Sequence, residues 1–395
     1  VENAAAGNLK IKLHGLQTRD KMKDMKNPLS PETYVQRLRP REEDIRGPYF
    51  RDQTAIIHSM PFRRLKHKTQ VFFSPDNDHV CTRMEHTLHV ATIAAAICRV
   101  LGLDVDLAQA ISLGHDLGHA PFGHRGEEVL DDLLREHGGF NHELYALRVV
   151  DKLANDGAGL NLTYGVRDGI ICHCGEKYEK QIQPRREKID LNDIKKLGIY
   201  PSTYEGCIVR MSDKISYLGR DIEDGIRAGI INEEEVPGNI REILGRKNGE
   251  IIDTLVNDLI DESQQTGAIS FSGRNHQLMR ALYDFNMGNI YTSAPLEEYG
   301  MFCEKILRTL FDELIRIYQK YGRDYPKYDN DPVPLFRRFG RHVQKLAGVY
   351  DQEQTPAEVI VSDYIAGMTD NYALACVHEV FIPEPIKFDL PRTLI

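Results

Sequence analysis

The sequence predicts a mainly α protein, a helical bundle with a smaller C-terminal helical lobe, on three observations. Apolar residues recur at helical spacing from Tyr49 to about Lys320. Sustained two-residue alternation is absent, and only Lys10–Leu13 and Val380–Ile382 read as candidate short strands. A chain of 395 residues with 41% hydrophobic and 28% charged content can also bury a large core and still carry an attached lobe.

The elements follow in chain order. Residues 1–48 read as an N-terminal extension; Val1–Ser30 is polar and basic with no apolar h-region, so no secretory signal is expected. The body, 49–323, holds periodic segments at 51–58, 86–101, 104–117, 125–137, 142–155, 164–173, 204–229, 250–262, 276–291 and 296–321. A polar excursion at 180–203, containing Pro184-Arg185-Arg186-Glu187-Lys188, interrupts it. A stretch rich in Asp, Asn, Pro and Tyr, Asp324–Pro334, then sets off a C-terminal lobe within 324–395. No apolar run approaches the ~18–20 residues needed to span a bilayer. The seven cysteines are scattered and odd in number, which suits reduced thiols in the cytoplasm. Cys172-His173-Cys174 reads as a helix end closed by Gly175 rather than a zinc site, because three adjacent residues do not converge easily on one ion.

The chemistry is concentrated in Leu113-Gly114-His115-Asp116-Leu117-Gly118-His119-Ala120-Pro121-Phe122-Gly123-His124. An imidazole beside a carboxylate at the end of an apolar helix is costly to bury, and a divalent metal offsets that cost by coordination. His86, at the start of a strongly helical stretch, and Asp213, after an apolar approach, are the further candidate ligands. Together with His115 and Asp116 they give two imidazoles and two carboxylates for one ion. Tyr217 and Asp221 follow Asp213 on the same helix face. Such a mixed set suits Mn, Fe, Co, Ni or Zn, with Mg or Mn the functional expectation.

These pieces carry a resemblance to the HD-domain phosphohydrolases, and within them to the bacterial deoxyguanosinetriphosphate triphosphohydrolase-like proteins. The chain is also similar to the vertebrate SAM-and-HD-domain dNTP triphosphohydrolase, without its SAM domain. The matching segments are Arg83-x-x-His86, His115-Asp116-x-Gly118-His119-x-Pro121-Phe122-Gly123-His124, His124-x-x-Glu127, Asn141-His142-Glu143, Asp213-Lys214-x-x-Tyr217-x-x-x-Asp221 and Asp363–Asp370. The resemblance implies an HD-domain helical bundle and metal-dependent hydrolysis of a deoxynucleoside triphosphate, dGTP or a broader set, to deoxynucleoside and inorganic triphosphate.

It also implies roles. The ion at His86, His115, Asp116 and Asp213 would polarise an α-phosphate oxygen and acidify a water. His124 would serve as general acid on the departing 5′ oxygen or help activate water, with Glu127, three residues on, orienting it. His119 and His142 would donate to phosphate oxygens, while Arg83 and Lys214 would neutralise the phosphate chain. Tyr217 and Asp221 would face the sugar, Tyr291 would stack under the ribose, and Gln70 and Val71 match the stretch near sugar and base. For Tyr217 and Tyr291 a plain core role stays open, and His173 resembles a recurrent histidine of the bacterial family whose role stays open too.

Net charge is −9, so a triphosphate of about four negative charges needs a local positive field. Arg63, Arg64, Lys66 and Lys68 offer one just before the first ligand, either as phosphate contacts or as a solvated helix face. Two other functions stay open. One is another HD-type nucleotidase or phosphodiesterase; the other is a nucleotide- or single-stranded-DNA-sensing protein, which the basic 180–188 segment suits. The expected partners are a dNTP substrate, a regulatory nucleotide and further copies of the chain in a homo-oligomer, with no membrane.

Overall fold

The computed structural model describes residues 24–72, 80–174, 178–195 and 197–382, and they fold almost entirely as helices. The central pair is Arg83–Leu101 and Val105–Gly114. The first begins with a reciprocal cap, in which the Glu85 amide donates to Thr82 Oγ1 and the Thr82 amide to Glu85 Oε2 at 2.8 Å. It ends at Gly102, whose φ of 73° a side chain would strain, and Asp104 caps the next helix. Buried Ala91, Ala94 and Ala95 let the neighbouring helices approach closely. The long Tyr204–Arg227 helix lies across both members of the pair.

The Val105–Gly114 helix tightens into a 3₁₀ turn at His115–Gly118, shorter than the continuous 104–117 helix its periodicity suggests. Packing explains the change. A Cβ on Gly118 would lie 2.0 Å from the His142 carbonyl oxygen, so only glycine lets the His142–Arg148 helix press against this turn. The 142–155 helix continues as a π turn at Val149–Leu153, and the 276–291 helix does the same at Met287–Tyr291.

Several expectations are corrected. Val380 and Phe381 close the Asp370–Phe381 helix instead of forming a strand, while Lys10–Leu13 lies outside the described residues, as does Gly175. The strands described are Gln181–Ile182 and Ile269–Ser270, paired antiparallel. The 180–203 excursion is anchored on the body: Ile182, Leu191 and Ile194 are buried, and Arg185 Nη2 donates to Asp168 Oδ1 at 2.6 Å. The described part of the N-terminal extension is tied to the body by Arg37 on Asp52 at 2.6 Å and by the buried Tyr34 hydroxyl on Ser202 O at 2.8 Å. Asp324–Pro334 itself contains a helix, Tyr325–Asp329, with Tyr328 buried.

The C-terminal helices Pro334–Lys345, Ala347–Glu353, Ala357–Ala366 and Asp370–Phe381 have no counterpart among the periodic segments. Three of them, Pro334–Lys345, Ala357–Ala366 and Asp370–Phe381, pack with Gly123–Leu133 on the 28-residue helix Ala294–Tyr321. No helix among the described residues is long and apolar enough to cross a membrane.

Candidate metal centre and active site

His86 and Asp213 come from two helices, His115 and Asp116 from the 3₁₀ turn, and the fold brings them together. His86 Nε2 lies 3.0 Å from Asp213 Oδ1 and 3.8 Å from Asp116 Oδ2. His115 Nε2 lies 3.3 Å from Asp116 Oδ1 and 3.9 Å from Asp213 Oδ1. Tautomers follow from the outer partners. His115 Nδ1 faces the Ser112 carbonyl at 2.6 Å and must donate, which leaves Nε2 as a lone pair in the neutral ring. Ser216 Oγ gives its proton to Asp213 O at 2.7 Å, so it accepts from His86 Nδ1 at 3.2 Å. With both rings neutral, two imidazole lone pairs confront two carboxylates, and a cation between them resolves the repulsion. His115 Nε2 is buried without a hydrogen-bond partner, the mark of a ligand atom. The residues present therefore fit a divalent metal.

Electrostatics agree with a negative floor. Burial alone would raise the Asp116 carboxyl, but His115, His119 and Arg83 outweigh it and hold the group well below the usual range. Asp213 behaves likewise, with the His86 bond the chief opposing cause.

Beside this centre lies a second layer. Arg83 Nη1 donates to Asp116 Oδ2 at 3.2 Å and also meets His119 Nε2 at 3.0 Å. His119 and His142 stack at 3.9 Å between centroids, 18° from parallel. Glu127 departs from the pairing its spacing suggests. Its carboxylate engages His142, at 2.9 and 3.0 Å to Nδ1 and 2.9 Å from the amide, whereas His124 Nδ1 stands 3.9 Å away. Burial would lower the His142 pKa, yet Glu127 and Glu143 overcome it and raise it to about 9. The pair is an imidazolium and a carboxylate. The His124 side chain is 69% exposed, at the mouth of the cluster.

The sugar-side residues are more committed than their spacing suggests. Tyr291 Oη donates to Asp221 Oδ2, and Tyr217 Oη meets Tyr178 Oη. Lys214 Nζ is 2.7 Å from Glu179, which also takes Arg210 at 2.7 Å, so Lys214 faces a carboxylate. Gln70 is buried with its Oε1 unpartnered. The cations of 63–68 are divided: Arg63 and Lys66 are exposed, Arg64 donates to Gly367 O at 2.9 Å, and buried Lys68 donates to the carbonyls of His119 and of Ala366, the latter at 2.8 Å. Val71 is half-buried.

Sequence reasoning missed three contributors. Asp370 reaches into the site from the C-terminal lobe; its motif was visible, but its contact lies across 248 residues from Phe122. Glu143 was quoted only within a motif. His173, left without a role, turns its ring to 4.9 Å from His115 and 5.4 Å from His142. Among the described residues the side-chain groups that could hold an ion are built from His, Asp and Glu.

Comparison with known proteins agrees with this arrangement. Residues 83–218 match the HD domain, and residues 334–379 match the phosphohydrolase-associated domain. The chain is 41% identical to a deoxyguanosinetriphosphate triphosphohydrolase-like protein of Caldanaerobacter subterraneus subsp. tengcongensis, over 91% of this chain and 93% of that one. It is 39% identical to a like-named protein of Desulfatibacillum aliphaticivorans, over 87% and 90%. A third, from Clostridium tetani, is 35% identical over 91% and 93%.

Proposed function

Because the chain belongs to the deoxyguanosinetriphosphate triphosphohydrolase-like family of HD-domain proteins, we propose that it hydrolyses deoxynucleoside triphosphates at the α-phosphorus. The products are a deoxynucleoside and inorganic triphosphate. The observation that carries this reading is the pair of lone-pair-bearing imidazoles, His86 and His115, facing Asp116 and Asp213 in a buried pocket. These four residues would hold the divalent ion, Mg or Mn. When bound, it supplies Lewis-acid polarisation of the phosphate and acidifies water.

The chain's own groups do the rest. Arg83, His119 and the charged His142 turn donors toward the phosphates beside the ligand cluster. Glu127 keeps His142 protonated and oriented. His124, exposed at the mouth, can deliver a proton to the departing 5′ oxygen as substrate closes over it. The Tyr291–Asp221 pair forms a polar wall for the deoxyribose, with Asp221 accepting from the 3′-hydroxyl and the Tyr291 ring crowding a 2′-hydroxyl. Gln70, which the resemblance puts near sugar and base, offers a buried carbonyl oxygen without a partner. Tyr217 belongs to the same wall, and Lys214 reaches phosphate only on leaving Glu179. A regulatory nucleotide and assembly into a homo-oligomer complete the proposal.

Incubation of purified protein with each dNTP and rNTP, in Mg or Mn, tests it by product identity. Triphosphate plus deoxynucleoside is expected, from deoxy substrates over ribo. Orthophosphate or pyrophosphate as the released fragment would assign it to another HD phosphohydrolase activity.

A further inference from the structure

The cations assigned to the phosphates each face a carboxylate of the chain itself. Arg83 meets Asp116, His142 meets Glu127, and Lys214 meets Glu179. The first two carboxylates have work in the site, Asp116 as a candidate metal ligand and Glu127 as the group that keeps His142 charged. Glu179 has none. Its Oε2 accepts Lys214 Nζ at 2.7 Å and its Oε1 accepts Arg210 Nη2 at 2.7 Å. Burial alone would raise the Glu179 carboxyl, yet Lys214 and Arg210 outweigh it and hold the group below its ordinary value. It therefore stands ionised against the ammonium that is to meet the phosphates.

The mount of Glu179 is fixed from outside the ligand helices. The strand Gln181–Ile182 pairs with Ile269–Ser270, and the Phe271 amide donates to the Lys180 carbonyl at 2.9 Å. His276 Nε2 donates to the Tyr178 carbonyl at 2.9 Å, and the Tyr178 ring packs on Tyr283 at 4.5 Å between centroids. The Tyr178 hydroxyl meets that of Tyr217, and its ring lies 5.1 Å from Lys214 Nζ. Two adjacent residues thus touch both the sugar-side wall and the phosphate-side cation.

Arg210 makes an exchange at Lys214 feasible. It is 1% exposed and also donates to the carbonyls of Cys172 and Cys174, so it stays in place. A buried carboxylate stripped of every cation carries a large desolvation cost, and Arg210 keeps Glu179 paired when Lys214 departs. The Lys214 ammonium, on a flexible four-carbon stem, can swing.

We propose that Glu179 is a built-in competitor for Lys214, holding the ammonium until the phosphate chain of a nucleotide displaces it. The inference rests on Lys214 meeting substrate phosphate, and it makes Glu179 a positioning residue. Orthophosphate competes poorly with a carboxylate clamped by Arg210. A triphosphate, gripped also by Arg83, His119 and His142, wins the exchange.

The test is isothermal titration calorimetry of the full-length protein with inorganic triphosphate in excess Mn²⁺, across Glu179→Gln, Lys214→Gln and the double variant. Glutamine removes the charge and keeps an acceptor for Arg210. Glu179→Gln is expected to bind inorganic triphosphate at least about tenfold more tightly than the unaltered protein, the least that a released hydrogen bond between charged groups is worth. The gain should vanish in the Lys214→Gln background, and KM for a hydrolysed dNTP should fall without a rise in kcat. A merely structural Glu179 gives the opposite sign, because its loss loosens the site. A folded Glu179→Gln that binds equally or less tightly overturns the proposal. So does a gain that survives Lys214→Gln, or an absence of triphosphate binding throughout the cycle. The reaction itself is judged separately, by the identity of the released fragment.

Discussion

Asp370, in the last described helix, accepts the main-chain amide of Phe122 on Oδ1 at 2.9 Å and that of Thr69 on Oδ2 at 2.9 Å. The two amides belong to the segments on either side of the active site. Phe122 holds φ at 66°, a strained value for a non-glycine residue, immediately before the helix that carries His124 and Glu127. Thr69 passes the constraint on, because its carbonyl accepts Arg83 Nε at 3.2 Å and Arg83 grips Asp116. Lys68 repeats the tie by donating to carbonyls of His119 and Ala366. The C-terminal lobe is thus a brace for the catalytic turn.

Asp370→Asn tests the brace. The amide keeps one acceptor but sets an N–H₂ group against either the Phe122 or the Thr69 amide. A loss of about 1.5–3 kcal/mol is expected, the worth of a hydrogen bond to a charged group. Urea unfolding measures it, and kcat should fall alongside. A midpoint and a kcat equal to those of the unaltered protein would remove the brace from the account.

Asp213→Ala deletes one of the two carboxylates that the imidazole lone pairs face. Loss of a direct ligand should exceed the roughly 10–100-fold effects typical of outer partners. Bound manganese and turnover are expected to fall together by more than about 100-fold, and chelation of the unaltered protein should reproduce the loss reversibly. Full activity in a chelated sample would show that no ion takes part.

Glu127→Gln keeps shape and removes the charge that holds His142 as an imidazolium. General acid–base contributions run to about 10²–10⁴-fold, and a kcat loss within that range is expected. If Glu127 instead served His124, as its spacing suggests, His142→Ala would leave kcat nearly intact. Comparing the two variants separates the pairings.

Asp221 carries a pH prediction. Burial pushes its carboxyl up from 3.8 to about 7, against the bond from Tyr291. Between those values the unfolded chain releases this proton while the folded protein keeps it. The stabilising contribution is therefore complete below 3.8 and is lost as pH rises through about 7. Asp221→Asn should flatten that part of the curve, read as urea midpoints of the chelated protein at about pH 4.5 and about pH 7.5. Parallel curves for the two proteins would contradict it.

Much of this was legible in order along the chain. The principal helices, including Arg83–Leu101, Tyr204–Arg227 and Ala294–Tyr321, announce themselves by apolar spacing, because each buries one face against a common core. The short helices after Pro334 escape the same reading. Most span only two or three turns, too few for a period to stand out. The four candidate ligands could be named because an imidazole beside a carboxylate in an apolar segment is unusual and needs a physical compensation.

What the sequence determined by itself was composition of the site: which side chains have the right chemistry, and which turns glycine permits. Only the tertiary structure decided who pairs with whom. Spacing placed Glu127 on the same helix face as His124, but Gly118 lets the His142–Arg148 helix come close enough for His142 to take that carboxylate. Asp370, Glu179 and His173 reach the site from distant parts of the chain. Hydrogen bonds and Coulomb attraction act over a few ångströms of space, whatever the separation along the backbone, so no local pattern could announce them.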